Sequence, residues 1–195
     1  MKSKLPLFPL ELVLLPYEKL PLHIFEPRYK TMVKNAIEDD IAFGIVLKEG
    51  EEVFPKGCKV KVTKVFKEYE SGEYDIMVEG LDRFDVIGTE IVGDTVIGEI
   101  QYIPMNLDAD QFLVQELQDS YLKVILRFGI KSDLEAHMNK KISYEFLQGL
   151  QLPTSLKKDL IDMDSEPSRL SFINTIFNNV LSQPFKTEND NLPEA

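Results

Sequence analysis

The sequence predicts an α+β protein, in which a small β barrel with one inserted helix precedes a helical region. Three observations point to it. Eight of the ten glycines lie in residues 1–103, among β-branched runs that alternate apolar and polar side chains. Five prolines before residue 28 divide the opening into short extended segments. Residues 104–185 hold only two glycines and carry apolar residues at helical spacing. Many short strands with one helix among them favour a closed barrel over an open parallel sheet. At 195 residues, 44% hydrophobic and 28% charged, the chain can bury a core as one large domain or two small ones.

Taken in order, LPLFPL at 5–10, LVLLP at 12–16 and LPLHIF at 20–25 are apolar runs. Pro6, Pro9, Pro16 and Pro21 keep them short and edge-like, because proline cannot donate to a ladder. Pro27 suits the first position of a helix, where an amide would lack a partner anyway. Met32, Val33, Ala36 and Ile37 form the apolar stripe of that helix. Glu26, just before it, meets the positive end of the helix dipole. FGIVLK at 43–48 reads as a buried strand. The strand at 58–69 alternates through Val60 and Val62, then loses phase at Val65-Phe66, so a bulge is expected near Thr63-Lys64. Ser71-Gly72 supplies a turn, and Tyr74, Ile76 and Val78 resume the alternation to make a hairpin. Two further strands, 83–91 and 95–103, flank Gly93-Asp94.

Pro104 stops the last strand, and Asn106 or Asp108 offers a cap for a helix at about 109–128. Leu113, Leu117, Tyr121, Val124, Ile125 and Phe128 share one face of it, and Gly129 ends it. Ser143 caps a short helix through Gln148, before Gly149, and Pro153-Thr154-Ser155 opens another through Leu160 and Ile161. Ser165 caps the last, with Pro167 in its first turn and Leu170, Ile173, Ile176, Phe177, Val180 and Leu181 on its apolar face. The expected divisions are a β-barrel subdomain at 1–104, a helical subdomain at 105–183 and a disordered tail at 184–195.

Charge and motif content exclude several functions. A net charge of −11 and a pI near 4.7 oppose binding to nucleic acid or anionic membranes. A single cysteine, Cys58, forbids an internal disulfide and fits a reducing compartment, the cytoplasm. Cys58 alternates with strand positions and reads as a packing residue. The apolar opening is broken by prolines and Glu11, so it is not read as a signal peptide. No glycine is followed by lysine, so no GxxxxGK[ST] phosphate loop exists. GxGxxG, GxSxG and HExxH are also missing. His23 and His137 lie far apart with no cysteine near, so no metal site is expected, nor any cofactor or catalytic residue. His23 reads as a barrel-wall residue.

Residues 5–33 read LPLFPLELVLLPYEKLPLHIFEPRYKTMV. This resembles the opening of the Lon protease N-terminal domain, shared with cereblon-type proteins. PLFPL at 6–10, LLP at 14–16, LPLHIFEPRY at 20–29, FGIVL at 43–47, Gly57-Cys58 and GLDRF at 80–84 carry the likeness. LQLPTSLKKDLIDMDSEPSRL at 150–170 continues it. The resemblance implies a PUA-like pseudo-barrel followed by a helical bundle. It also implies a role in selecting substrate polypeptides for an ATP-driven protease, with no ATPase or protease module in this chain. The expectation is therefore a non-catalytic module that binds unfolded polypeptide or a protein partner in protein quality control. The alternative is a small-ligand-binding PUA-like domain. An exposed apolar groove would favour the first, a closed polar-lined pocket the second.

Three site expectations follow. Phe8, Leu10, Leu14, Leu15 and Tyr17, in the proline-rich opening, are the candidate peptide contacts. Glu26, Pro27, Arg28, Tyr29, Gly80, Arg83 and Phe84 are motif positions, with Glu26 expected to pair with Arg83 across the fold. Alternatively, Arg28 and Arg83 grip an acidic ligand group.

Overall fold

The computed structural model describes residues 2–130 and 137–184. In chain order the elements are β1 (Lys2–Leu10), β2 (Lys19–Ile24), α1 (Pro27–Glu38), β3 (Phe43–Glu49), β4 (Glu52–Glu68), β5 (Tyr74–Val92) and β6 (Thr95–Tyr102). Then come α2 (Gln111–Arg127), a 3-10 helix (Ser143–Leu147), α3 (Thr154–Asp162) and α4 (Glu166–Ser182). Contacts group residues 1–107 with 147–165, and 108–146 with 166–195. Helix α3 thus falls with the strands by contact, although the composition change at Ile103–Asn106 places it among the helices. The expected tail lies outside the described residues, apart from Pro184.

In the first unit the sheet order is β2-β5-β4-β3-β1-β6, and β5 also pairs with β6. Five strands therefore form a ring, and β2 hangs on the outer side of β5. The β1–β3 pair is parallel and every other pair antiparallel. The prolines fit this ladder because β1 changes partner midway. Residues 2–7 pair with β6 and residues 7–10 with β3, so Pro6 and Pro9 each lie where one side of the strand is unpaired. Pro21 lies on β2, an edge strand. The LVLLP run forms no strand; residues 11–18 make a loop in which Tyr17 has φ 62°.

The bulge is where the broken alternation put it, between Val62 and Lys64. Ser71-Gly72 and Gly93-Asp94 make their turns, with positive φ at both glycines. The segments at 74–79 and 83–91 are not separate strands, however. They form one bent strand, β5, whose register against β4 slips between Val60↔Gly80 and Cys58↔Arg83. Leu81 and Asp82 take up the slip, and the buried positions change from Tyr74, Ile76 and Val78 to Arg83 and Phe84.

The ring interior is filled by Leu5, Leu7, Val46, Phe84 and Ile100. Phe84 requires the Gly57 hydrogen: a Cβ there would stand 2.4 Å from its ring. Phe8 points the other way, onto α1, with its ring 4.1 Å from that of Tyr29 and 6.4 Å from Phe43. Tyr29, Met32, Val33 and Ala36 are the buried stripe of α1, with Pro27 in its first turn as expected. Cys58 is buried, and burial pushes its thiol well above the ordinary range, as a packing cysteine requires. His23 differs from its reading: it stands half exposed, with Nδ1 2.7 Å from Asp75 Oδ1.

In the second unit α2 packs against α4. Leu117, Tyr121, Val124 and Ile125 meet Leu170, Ile173 and Phe177 as the buried faces. Phe128 is exposed at the C-terminal cap, beyond the packed stretch. The α2 cap is Asp110, whose carboxylate accepts the Phe112 N–H at 2.9 Å, rather than Asn106 or Asp108. The short helix at Ser143 is 3-10. There the Glu145 carboxylate accepts the Lys141 and Ile142 N–H groups, while Ser143 turns its hydroxyl to Glu166. No helix among the described residues is long and apolar enough to cross a membrane.

Candidate functional site

The GLDRF segment joins three parts of the first unit. Gly80 accepts the Tyr17 N–H through its carbonyl and donates its own N–H to the Glu18 carbonyl, both at 2.9 Å. The loop at 13–18 is thereby pinned flat on β5. A Cβ at Gly80 would lie 2.2 Å from the Leu15 carbonyl oxygen, and the backbone of both residues is held by hydrogen bonds. We expect Gly80→Ala to destabilise the fold by about 2 kcal/mol or more, as overpacking against fixed backbone does. Urea unfolding followed by circular dichroism would measure it, and an unchanged midpoint would show that the loop is free to move away.

Arg83 is fully buried and donates from Nη1 to the carbonyls of Ile161 and Met163 at 2.8 and 2.7 Å. These oxygens close α3, where carbonyls lack helical partners and the dipole is negative. Arg83 is therefore a helix anchor. The expected Glu26–Arg83 pair does not form: Glu26 instead holds Arg28, 2.6 Å away. Nor can Arg28 and Arg83 share an acidic ligand, because the Arg83 guanidinium is fully buried, with Nη1 on two carbonyls and Nη2 3.9 Å from Asp164. Arg28 also stacks on Tyr29, 4.7 Å from its ring centroid. Of the motif positions, Tyr29, Gly80, Arg83 and Phe84 hold the core together and Pro27 opens α1.

The opening does not supply an exposed peptide surface. Phe8, Leu14 and Leu15 are buried, and Leu10 and Tyr17 are half buried. Their proximity to prolines limits ladder pairing, but their side chains still face the interior. Loop 13–18 is instead fastened to α3, through Gln148 to the Tyr17 carbonyl just before it and through a Lys157–Glu18 ion pair.

Exposed apolar side chains of this unit lie elsewhere, at Phe25 and Phe66 (59% and 51% exposed) and at the tip of the β5–β6 hairpin. Ile91 is 77% exposed and Val92 58%. Beside them an open groove of about 320 Å³ runs between α1 and the hairpin, lined by Pro6, Met32, Ile41, Phe43, Val92 and Ile97 among others. Ile41, 49% exposed, forms the opposite rim. Ile97 also lines a second, polar hollow of about 210 Å³ with Lys4, Glu90 and Glu99. Neither hollow brings together nucleophile, base and oxyanion donors. Their arrangement suits holding an extended apolar segment, with a rim of polar groups. Sequence reasoning missed Ile41, Ile91 and Val92. The available signal was their place beside acidic turn residues, Asp40 and Asp94, at the ends of apolar strands.

Comparison with known proteins places these features in context. The model of the ATP-dependent protease La (LON) substrate-binding domain family matches residues 4–177. No curated protein matches this chain. Among solved structures, the crystal structure of the Lon N-terminal domain protein from Xanthomonas campestris superposes with a TM-score of 0.67 at 22% identity, covering 93% of this chain and 99% of that one. The N-terminal domain of the Mycobacterium avium complex Lon protease superposes at 0.70 with 14% identity, covering 91% of this chain and 99% of that one. At such identity these two establish the common fold.

Proposed function

We propose that this chain, which belongs to the ATP-dependent protease La (LON) substrate-binding domain family, holds non-native polypeptide segments in the groove between α1 and the β5–β6 hairpin and performs no chemistry on them. The observation that carries the reading is the open apolar groove, with its lining residues Ile41 and Val92 exposed and Ile91 exposed beside it at the hairpin tip. An extended chain laid there would cover apolar side chains that the fold leaves in water. Covering ~300 Å² of apolar surface is worth about 7 kcal/mol gross at ~25 cal/mol per Å². Losses of freedom on association offset much of this, which leaves micromolar to millimolar affinity. Such weak, general capture suits protein quality control in the cytoplasm, where buried Cys58 needs no oxidising surroundings. The sequence lacks a phosphate loop, which supports a part without ATP hydrolysis. Its charge of −11 supports a protein ligand over nucleic acid or an anionic membrane.

The test is fluorescence anisotropy with a labelled, permanently unfolded protein. An Ile91→Ser, Val92→Ser variant should bind at least ~5-fold more weakly, about 1 kcal/mol, and keep the wild-type melting temperature because both side chains are exposed. Equal binding by the variant would move the site off the hairpin. No binding by wild type at ~1 mM, equivalent to about 4 kcal/mol, would end the reading.

A further inference from the structure

Resting on that reading, we infer that the groove selects apolar segments flanked by lysine or arginine over neutral or acidic ones. The charges around it are unevenly matched. Lys34 pairs with Glu38 at 3.8 Å, Lys4 with Glu90, Lys2 with Glu99 at 3.0 Å and Arg28 with Glu26 at 2.6 Å. Each cation near the groove thus has an acid of its own. Asp39, Asp40 and Asp94 remain, and none of them forms an ion pair with a described residue.

Their positions relative to the apolar lining give the inference its geometry. Asp40 immediately precedes the rim residue Ile41, and Asp94 lies between the lining residues Val92 and Thr95. Neither acid lines the groove itself; each is the chain neighbour of a lining residue or one removed from it, Asp40 in the turn after α1 and Asp94 at the tip of the hairpin. Asp94 acts on Arg28 as well, but only as a minor influence behind the Glu26 hydrogen bond and Tyr29. An apolar side chain seated against Met32 and Phe43 would bring its chain neighbours to this rim. A cation there gains an unmatched acid, whereas an acidic neighbour meets like charge on both sides. The net charge of −11 adds a long-range pull of the same sign.

The experiment uses three labelled peptides with one apolar core, flanked by lysines, by serines or by glutamates, titrated with the full chain at low and high salt. The lysine-flanked peptide should bind about 10-fold tighter than the glutamate-flanked one, given roughly 2- to 5-fold per exposed pair. Raising the salt should shrink that difference. An Asp40→Asn, Asp94→Asn variant should lose the preference while binding the serine-flanked peptide as wild type does. Asp40 has φ 53°, a conformation that asparagine shares, so the exchange leaves the backbone unstrained. Equal binding of all three peptides would overturn the charge selection and leave polypeptide capture standing. A preference that survives in the double variant would overturn the assignment to these two acids. Failure of all three peptides to bind would overturn both the capture reading and this one.

Discussion

Arg83→Ala is expected to remove about 3–5 kcal/mol of folding stability, through a large cavity and the loss of a charged donor to two carbonyls. Against a total of about 5–15 kcal/mol that is a large fraction. The guanidinium is fully buried, and its Nη1 closes α3 by holding the Ile161 and Met163 carbonyls. Alanine would remove the donor that both carbonyls share and leave a void where six heavy atoms stood. Two further variants separate these effects. Arg83→Met keeps most of the volume and removes a charge whose Nε and Nη2 make no hydrogen bond among the described residues. It should cost about 1–3 kcal/mol, for two carbonyls that lose a charged donor and for the weak pair with exposed Asp164. A fragment ending at residue 105 retains Arg83 but loses both carbonyls, which lie 78 and 80 residues further on. It should fold poorly or not at all by circular dichroism. A loss below ~1 kcal/mol for Arg83→Ala, within reach of an ordinary surface change, would show that α3 does not depend on this anchor.

That anchor marks where the sequence stops being readable. Local rules carried well. The phase change at Val65-Phe66 located the bulge, Pro27 located the start of α1, and Gly72 and Gly93 located turns. Each of these features is decided by residues within a few positions of it. The expected separation of the strands at 74–79 and 83–91 does not hold around Gly80. Here the glycine is needed for close approach of the Leu15 carbonyl, and β5 runs straight through. A fully buried arginine in a strand is rare enough that its motif position suggested a ligand contact. Its real partners belong to a helix too distant in sequence for spacing to reveal.

The burial of the opening escapes a sequence reading for a related reason. Prolines in the opening limit hydrogen bonding of the backbone, which suggests exposed side chains as well. The two are independent: Phe8 sits in a strand segment with one free side, yet its ring lies beneath α1. Conversely, Ile91 and Val92 alternate like any hairpin residues. They are exposed because β1 pairs with β6 only from Val96 onward, so nothing reaches the hairpin tip. That depends on the relative lengths of three strands, which periodicity does not report.

Glu166→Ala is expected to destabilise the chain about as much as Arg83→Ala, and to act on the second unit. The Glu166 carboxylate is buried at the start of α4 and accepts four hydrogen bonds. Two come from Ser143, N–H at 2.6 Å and Oγ at 2.8 Å, and two from Arg169, Nε at 3.0 Å and Nη2 at 2.7 Å. It thus ties the 3-10 helix to α4 while neutralising an arginine that is itself fully buried. The α4 N-terminus favours its charge as well. Removing it leaves the Arg169 cation in the interior, which should cost about 3–5 kcal/mol. Glu166→Gln keeps the shape and one acceptor oxygen, but presents an amide to donors, and should fall between alanine and wild type. The informative measurement is a cycle with Arg169→Met. Arg169→Met alone frees the carboxylate of one partner but leaves both Ser143 bonds, so it should cost less than Glu166→Ala. The double variant removes both charges, and Arg169→Met should then restore part of what Glu166→Ala loses. A coupling energy of about 1–3 kcal/mol is expected. Additive single and double effects would mean that water already screens this pair. The buried position of both side chains would then have to be given up.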